Sequence, residues 1–318
     1  MNKRQLGNSS LSIAPLVLGG NVFGWTADEA TSFAVLDAFV AGGGNAIDTA
    51  DGYSVWVPGH QGGESETIIG KWLKQRGRRD DVVIATKVGW EVNTENRGLA
   101  KNYILRAVEG SLKRLQTDYI DLYQSHKDDP KVPVEETLEA YAQLVKEGKV
   151  RVIGASNFSA ERLRESLQAS EQHGFPRYES LQPLYNLCDR AEFEQELLPL
   201  CQEHNVGVIP YYGLAAGFLT GKYRSEADLK KSARGGGVGR KYLNDKGLAI
   251  LAALDAVSER LHATPAQVAL AWIMAQPGLT APIASATSAE QVEELLKATD
   301  LQLDTEALEQ LEGASVAT

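Results

Sequence analysis

The chain has little cysteine and no long apolar run. Its two cysteines, Cys188 and Cys201, are too few for a disulfide framework and form no CxxC pair. We expect both thiols to be reduced and packed against apolar surface, and we expect no metal site. No apolar run reaches the roughly 18 residues that cross a bilayer, and no apolar signal core follows the first charged residues. These absences favour a cytoplasmic protein without a membrane segment.

The chain also lacks an excess of basic charge, because its formal net charge is −10. Nonspecific binding to nucleic acids or to anionic membranes requires a basic surface, so we expect neither kind of partner. A small anionic ligand stays compatible with this composition, since a basic pocket can lie on an acidic protein. Hydrophobic residues make up 43% of the chain, which is enough to fill a large core.

Short apolar segments alternate with longer segments of helical periodicity along most of the chain. A hairpin is predicted at 3–13, and eight strands are predicted at 15–18, 45–48, 82–87, 120–125, 150–156, 180–183, 207–211 and 280–285. Helices are predicted at 31–41, 67–75, 101–115, 134–146, 160–172, 193–204 and 246–261. Strict alternation predicts a parallel sheet, because parallel neighbours need a crossover. Eight repeats without a linker favour one (β/α)8 TIM barrel domain over residues 1–318.

Two longer stretches, 54–63 and 223–244, are predicted to be irregular loops on the side of the barrel where the strands end. The second contains a glycine run at 235–239. We interpret this run as a mobile loop and not as a dinucleotide-binding fingerprint, because Arg240 stands where the last glycine should be and no strand precedes it.

Polar side chains follow or end several of the predicted strands. Asp48 ends the second strand, Lys87 ends the third, His126 follows the fourth, and Tyr53 lies five residues after Asp48. Each one alone has an ordinary structural explanation, as a turn residue, a surface lysine or a satisfied core histidine. The carboxyl ends of barrel strands converge on one rim, however, and active sites lie there. We therefore expect these four side chains to lie together.

Such a group suits the reduction of a carbonyl by hydride transfer, which makes an alkoxide that needs a proton. An ammonium at Lys87 should lower the pKa of Tyr53 from its usual value near 10, and Asp48 should keep Lys87 charged. His126 can donate a hydrogen bond to the substrate oxygen.

Several segments resemble the aldo-keto reductase family, in the branch of bacterial members and potassium-channel β subunits. They lie at 45–53, 63–70, 84–87, 119–126 and 148–158, and the resemblance extends from the hairpin to about residue 298. It implies an NADPH-dependent enzyme that acts on a small-molecule carbonyl or alcohol, with Tyr53 as proton donor. It also implies that the nicotinamide contacts Ser156, Asn157, Gln182 and Tyr211.

The remaining cofactor residues follow from the same resemblance. A phosphate-binding loop is expected to use Gly213, Leu214, Ala216, Gly217, Leu219, Gly221 and Lys222, although Tyr212-Gly213 stands where many members carry Ser-Pro. The adenosine end is expected to contact Arg234, Ser285, Thr287, Gln291 and Glu294, with a plain surface charge as the alternative for Arg234. Several branches of the family place an arginine at this position to bind the 2′-phosphate of NADPH, whereas this chain has Thr287. We therefore expect NADPH to be preferred over NADH by only a modest factor, and NADH stays an alternative.

Three tryptophans, Trp25, Trp56 and Trp90, fall in loops at the predicted catalytic rim. They predict a wide apolar pocket for a bulky aliphatic, aromatic or polycyclic carbonyl, with surface packing as the alternative. Two other functions stay open. One is a regulatory protein that binds the cofactor on the same fold with little turnover, and the other is a barrel isomerase or aldolase for sugar phosphates. The natural substrate, the direction of the reaction and the oligomeric state are not predicted.

Overall fold

Eight parallel strands form the centre of the molecule, and an antiparallel hairpin precedes them. The structure, a computed structural model, describes residues 1–232 and 235–316. In the hairpin, β1 (Arg4–Gln5) pairs with β2 (Ser12–Ile13). The parallel strands are β3 (Val17–Gly19), β4 (Ala46–Asp48), β5 (Val83–Val88), β6 (Ile120–Ser125), β7 (Val150–Ser156), β8 (Tyr178–Gln182), β9 (Gly207–Val208) and β10 (Ile283–Ala284). The hairpin and all eight predicted strands are confirmed.

The strands close into a (β/α)8 barrel. Each strand from β3 to β9 pairs in parallel with the next one along the chain, and β10 pairs with β3. Backbone hydrogen bonds next to β9 and β10 join the two remaining edges: Ile283 N donates to Pro210 O at 2.9 Å, and Thr280 N donates to Val208 O at 2.8 Å. The fold class predicted from the alternating pattern is confirmed.

Helices lie between the strands, and capping residues mark where several of them begin. Asp28 accepts a hydrogen bond from Thr31 N at the start of α1, and Thr264 and Gln267 form a capping box with Pro265 in the first turn of α9. The helices are α1 (Glu29–Ala41), α2 (Glu64–Arg76), α3 (Lys101–Leu115), α4 (Val134–Lys146), α5 (Ala160–His173), α6 (Leu198–Glu203), α7 (Gly235–Tyr242), α8 (Asp245–Leu261), α9 (Pro265–Ala275), α10 (Ala289–Leu296) and α11 (Thr305–Val316).

The hairpin fills the end of the barrel where the strands begin. Its apolar side chains join an inner cluster of strand residues: Leu6, Leu11, Ile13, Val17, Ala46, Ala85, Leu122, Val152, Ile209, Ala281 and Ile283. The turn lies tightly on β8, because Gly7 has φ +58° and a Cβ there would lie 2.3 Å from Glu179 O. Burying each large apolar side chain contributes about 1.5–3 kcal/mol. This packing holds the strand starts together and leaves the opposite rim for polar groups.

One of the two predicted loops is in fact largely helical. Residues 54–63 contain only turns and bends, as predicted. Within 223–244, however, a 3₁₀ helix spans Glu226–Lys231 and α7 spans Gly235–Tyr242. A Cβ at Gly235 would lie 1.8 Å from Leu229 O, and one at Gly239 would lie 2.4 Å from Leu229 Cδ1. The interpretation of the glycine run as a mobile loop is therefore wrong, because these glycines permit close packing of α7.

Cys188 and Cys201 form no disulfide with each other, and burial raises the pKa of both thiols to about 12. In the two described ranges, none of the helices has the length and apolar character needed to cross a membrane.

Candidate active site

The four residues predicted at the strand ends come together on one rim of the barrel. Asp48 is the last residue of β4, Lys87 is the residue before the last in β5, and His126 directly follows β6. Tyr53 lies in the turns after β4, and its ring centroid is 6.0 Å from that of His126. These four side chains therefore lie close together, as predicted.

Lys87 is fully buried at the centre of this group. Its Nζ donates to three oxygens: Asp48 Oδ2 at 2.7 Å, Tyr53 Oη at 2.7 Å and the backbone oxygen of Thr49 at 3.0 Å. An ammonium has three donors, so these acceptors account for all of them. Lys87 therefore joins the Asp48 carboxylate to the Tyr53 phenol.

Asp48 receives hydrogen bonds on both carboxylate oxygens. Besides Lys87, the Tyr53 hydroxyl donates to Oδ2 at 3.3 Å. The other oxygen, Oδ1, accepts from Gln124 Nε2 at 3.1 Å and from Gln182 Nε2 at 2.9 Å. These four donors satisfy both oxygens of the buried carboxyl group. Gln182, expected to hold the nicotinamide, thus uses its amide nitrogen on Asp48 and on Gln124 Oε1.

The electrostatics of Tyr53 differ from the prediction. Burial raises the pKa of the Tyr53 phenol well above its usual value of 10, and the nearby Asp48 carboxylate raises it further. The expected fall of this pKa below 10 is therefore wrong, because the cost of burying a phenolate beside the Asp48 carboxylate sets the direction of the change. Burial also lowers the pKa of Lys87, while Asp48 opposes that change. Tyr53 accordingly stays a neutral phenol that can give up a proton only to a strong acceptor.

His126 is held as a neutral imidazole. Burial, and secondly the charge of Lys87, lower the pKa of His126 well below 6.5. Its backbone is fixed on both sides, because His126 N donates to Val88 O at 2.8 Å and its own carbonyl accepts from Asn157 Nδ2 at 2.9 Å. Its Nδ1 is buried without a hydrogen-bond partner among the described residues. A neutral imidazole next to Tyr53 can act as a hydrogen-bond donor without carrying charge.

Of the three tryptophans predicted to line the substrate pocket, Trp56 lies beside Tyr53, Trp90 lies beside His126, and Trp25 packs against Trp56. Trp56 lies 5.5 Å from Trp25 and 6.1 Å from Tyr53, between ring centroids, and Trp90 lies 5.0 Å from His126. Trp56 and Trp90 are 47% and 42% exposed. Large aromatic rings left this exposed next to a polar cluster form an apolar wall at a site entrance.

Three of the residues expected to hold the nicotinamide are linked by hydrogen bonds. Tyr211 Oη donates to Asn157 Oδ1 at 2.8 Å, and Asn157 Nδ2 also donates to Ser156 Oγ at 3.1 Å. Asn157 has φ +53°, a left-handed conformation that asparagine tolerates better than most residues. These bonds place an amide, a hydroxyl and an aromatic ring beside His126.

The predicted phosphate-binding loop is a tight turn followed by a 3₁₀ segment (Ala215–Thr220). Ala216 and Gly217 have φ +55° and +95°, and a Cβ at Gly217 would lie 3.3 Å from Lys222 Nζ. Consecutive residues in such conformations form concavities that bind anions. Leu219 has a different place, because its side chain is fully buried in the core. The N–H groups of three loop residues are bonded within the loop: Gly217 and Leu219 donate to Leu214 O, and Gly221 donates to Phe218 O.

The residues expected at the adenosine end cluster near the start of α10. Gln291 Oε1 accepts from Thr287 N at 2.8 Å and from Thr287 Oγ1 at 3.2 Å, while Ser285 Oγ donates to Asn21 Oδ1. The Glu294 side chain contacts other residues: it accepts a hydrogen bond from Gln267 and forms an ion pair with Lys297. Arg234, expected here as well, lies outside the described residues.

Sequence reasoning missed several buried polar residues of this site. Gln124 is fully buried on β6 and contacts Asp48, and the two-residue period that links Leu122, Gln124 and His126 could have revealed it. Asp51 and Glu66 are also buried, behind Lys87. No pattern in the surrounding residues distinguishes these two carboxyl groups from surface ones.

Comparison with known proteins gives a consistent assignment. The model of the aldo/keto reductase family matches residues 15–316. An uncharacterized oxidoreductase of Bacillus subtilis, YrpG, is 38% identical over 98% of this chain and 95% of its own length. A probable voltage-gated potassium channel subunit beta of Arabidopsis thaliana is 32% identical over 95% and 92%. Norsolorinic acid reductase B of Aspergillus parasiticus is 32% identical over 96% and 82%.

Proposed function

The chain belongs to the aldo/keto reductase family, and we propose that it is an NADPH-dependent oxidoreductase that reduces an aldehyde or ketone to an alcohol, or catalyses the reverse reaction. The observation that carries the proposal is the position of Lys87 Nζ, 2.7 Å from both Asp48 Oδ2 and Tyr53 Oη. The hydrogen bond from Lys87 places an ammonium next to the Tyr53 phenol and fixes the orientation of its hydroxyl group.

Tyr53 is the proposed proton donor. In reduction, the carbonyl oxygen gains negative charge as hydride reaches the carbon, and the Tyr53 hydroxyl transfers its proton to that oxygen. The tyrosinate that remains lies next to the Lys87 ammonium, which stabilises it. In alcohol oxidation the same groups work in reverse, and the tyrosinate removes the hydroxyl proton. The high pKa of Tyr53 favours the donor role, because the phenol is protonated at neutral pH.

His126 is proposed to orient the carbonyl group. Its ring lies beside Tyr53, and burial keeps it uncharged. A neutral imidazole can donate one hydrogen bond to the substrate oxygen and leave the proton transfer to Tyr53. Asn157 supports this geometry by binding the His126 carbonyl oxygen.

The residues on the rim fit a nicotinamide cofactor. Ser156, Asn157 and Tyr211 present a hydroxyl, an amide and an aromatic ring beside His126, which suit a carboxamide on a flat ring. The turn at Ala216 and Gly217 with Lys222 nearby suits a pyrophosphate. Bound NADPH would supply the hydride. Thr287 and Gln291 are proposed to contact the 2′-phosphate, which makes the preference over NADH modest because a hydroxyl is a weaker phosphate ligand than arginine.

Trp25, Trp56 and Trp90 are proposed to define the substrate class. The ring centroid of Trp56 lies 6.1 Å from that of Tyr53, the centroid of Trp90 lies 5.0 Å from that of His126, and Trp25 packs against Trp56. Such a wall favours a bulky apolar carbonyl over a small polar one, since stacking and burial of an aromatic substrate stabilise the complex.

A second candidate is a cofactor-binding regulatory protein with little turnover, which the similarity to a potassium channel subunit favours. The two candidates differ in one assay. Purified protein is mixed with NADPH and a panel of aromatic and aliphatic aldehydes, the loss of NADPH absorbance is followed, and the alcohol is quantified. An enzyme consumes NADPH and forms alcohol in equal amounts. NADPH binding with no alcohol from any aldehyde, and no ketone from any alcohol with NADP⁺, would favour the regulatory candidate.

A further inference from the structure

A second group of buried ionisable residues lies behind Lys87. Asp51 is 7% exposed and Glu66 is fully buried. Both are connected to β5: Asp51 N donates to Lys87 O at 3.2 Å, and Thr86 Oγ1 donates to Glu66 Oε1 at 2.5 Å. Glu66 Oε2 also accepts from Arg114 Nε at 2.6 Å. The Glu66 carboxyl group is thus bonded to Thr86, and the backbone of Asp51 is bonded to the backbone of Lys87.

The charges of this region do not balance if every group is ionised. Asp48, Asp51 and Glu66 would carry three negative charges, whereas Lys87 and Arg114 supply two positive charges. A buried charge without a partner is costly, and an ionisable group in that situation takes up a proton instead. One of the three carboxyl groups is therefore expected to be protonated.

The hydrogen bonds identify which carboxyl group this is. Asp48 accepts four hydrogen bonds, one of them from the Lys87 ammonium. Glu66 accepts from the Arg114 guanidinium and the Thr86 hydroxyl. The buried Oδ1 of Asp51, by contrast, has no hydrogen-bond partner in residues 1–232 and 235–316.

We propose that Asp51 holds the extra proton of this buried cluster at neutral pH and acts as a positioning residue for Lys87. As the pH rises, Asp51 gives up that proton, and its negative charge keeps the Lys87 ammonium charged. The second half of the proposal rests on the proposed function, in which Lys87 must be charged to stabilise the Tyr53 oxygen.

The electrostatics support this proposal. Burial, and then the neighbouring Glu66 carboxylate, raise the pKa of Asp51 to about 8, while Arg114, the Gly52 N–H and Lys87 oppose the change. In turn, Asp51 raises the pKa of Lys87 against the effect of burial. The groups that face Asp51 from the surrounding elements are Glu66 on α2, Tyr103 and Arg114 on α3, Lys87 on β5, Tyr123 on β6 and Tyr141 on α4.

The protonation of Asp51 can be measured without any turnover. Infrared difference spectra of wild type and Asp51→Asn should contain the C=O stretch of a protonated carboxylic acid at pH 6.5, and this band should titrate away around pH 8. The exposed Asp80→Asn variant, used as the control, should give no such difference. Identical spectra for wild type and Asp51→Asn in this region would overturn the proposal.

The coupling to Lys87 has its own readout. Asp51→Asn removes a negative charge, so the alkaline fall of kcat that follows the ionisation of Lys87 should move to lower pH. We compare the ratio of kcat at pH 9 to kcat at pH 6.5 in the two proteins. This ratio should be roughly three- to tenfold lower in the variant than in wild type, which corresponds to a decrease of about half to one unit in the pKa of Lys87. An equal loss at every pH would show a merely structural role and would contradict the proposal.

Glu66→Gln serves as a second variant if Asp51→Asn does not fold. The band of Asp51 should persist but titrate at a lower pH, because the neighbouring negative charge is gone. An unchanged midpoint would contradict the assignment.

If wild type reduces no carbonyl compound at all, the proposed function fails, and the infrared band of Asp51 in Lys87→Met then tests the coupling. The midpoint at which this band titrates should rise, since the interaction between Asp51 and Lys87 is reciprocal.

Discussion

The side-chain amide of Gln182 on β8 donates a hydrogen bond to Oδ1 of Asp48 at the end of β4, with the two atoms 2.9 Å apart. Both side chains are buried. Gln182, expected as a contact of the nicotinamide, therefore also holds the carboxylate that pairs with Lys87. A buried hydrogen bond to a charged group is among the stronger ones, so this contact connects the proposed nicotinamide side of the site, through Asp48, to the proposed proton donor Tyr53.

Gln182→Met should destabilise the protein. The change removes a donor from the buried Asp48 carboxylate and keeps a side chain of similar length, so we expect a loss of about 1–3 kcal/mol in the free energy of unfolding. Urea denaturation measures this loss. Gln172→Met, at an exposed position of α5, should change the same quantity by no more than about 0.5 kcal/mol. Equal stability of the two variants would mean that Asp48 does not depend on Gln182.

Lys87→Met should affect both stability and rate. Removing one partner of a buried ion pair leaves Asp48 as an unpaired charge, which costs about 3–5 kcal/mol. The rate of carbonyl reduction should fall by about 10²-fold or more, because the Tyr53 oxygen loses the ammonium beside it. Denaturation and steady-state kinetics measure the two effects, with the exposed Lys74→Met as control. A variant with normal kcat would exclude Lys87 from the chemistry.

His126 should make stability sensitive to acid. Its pKa in the folded protein lies well below 6.5, so the unfolded chain binds a proton at mildly acidic pH that the folded chain does not bind. Stability contributed by the neutral histidine is therefore complete above about pH 6.5 and is lost as the pH falls, by up to about 1.4 kcal/mol per pH unit.

The free energy of unfolding, measured by urea denaturation at pH 7.0 and 5.5, tests this dependence. The decrease between the two values should be smaller in His126→Gln than in wild type by about 1 kcal/mol. In the variant His173→Gln, at an exposed position, the free energy of unfolding should decrease as much as in wild type. The same pH dependence in all three proteins would mean that His126 takes up its proton normally in the folded state.

Much of the architecture was predictable because the strands and helices follow simple periods. The bounds predicted for β6 and β7 agree with the structure, since each strand begins with apolar residues at alternate positions, Ile120 and Leu122 in β6 and Val150 and Val152 in β7. β9 ends earlier than predicted, at Val208 instead of 211, although Ile209 N and Tyr211 N still donate to Leu181 O and Pro183 O. Glycine content alone could not distinguish a loop from α7, where Gly235 and Gly239 pack against Leu229.

The meeting of the candidate catalytic residues was predictable from their positions, but the electrostatics of the site were not. Asp48, Lys87 and His126 could be placed on one rim from the order of the strands. The direction of the pKa change at Tyr53 depends on how deeply the phenol is buried and on its contact with Asp48, and neither is visible in the sequence. The same holds for Asp51, whose unpartnered Oδ1 is a property of the folded chain.

Thr287→Arg should tighten the binding of NADPH and leave that of NADH nearly unchanged. Thr287 lies near the start of α10 next to Gln291, where a guanidinium could bind a phosphate with two hydrogen bonds. A gain of about 1.4–3 kcal/mol corresponds to roughly 10- to 150-fold in affinity. Dissociation constants from quenching of tryptophan fluorescence, for both cofactors and both proteins, measure it. Tighter binding of NADH than of NADPH by wild type would contradict the NADPH assignment.

The most direct test of the account is the effect of Tyr53→Phe on the reduction of an aromatic aldehyde by NADPH. The change removes only the hydroxyl group that contacts Lys87 and Asp48. If Tyr53 donates the proton, kcat should fall by about 10²–10⁴-fold while the dissociation constant of NADPH stays at the wild-type value. A variant that keeps a kcat near that of wild type would contradict the assignment of Tyr53 as the proton donor.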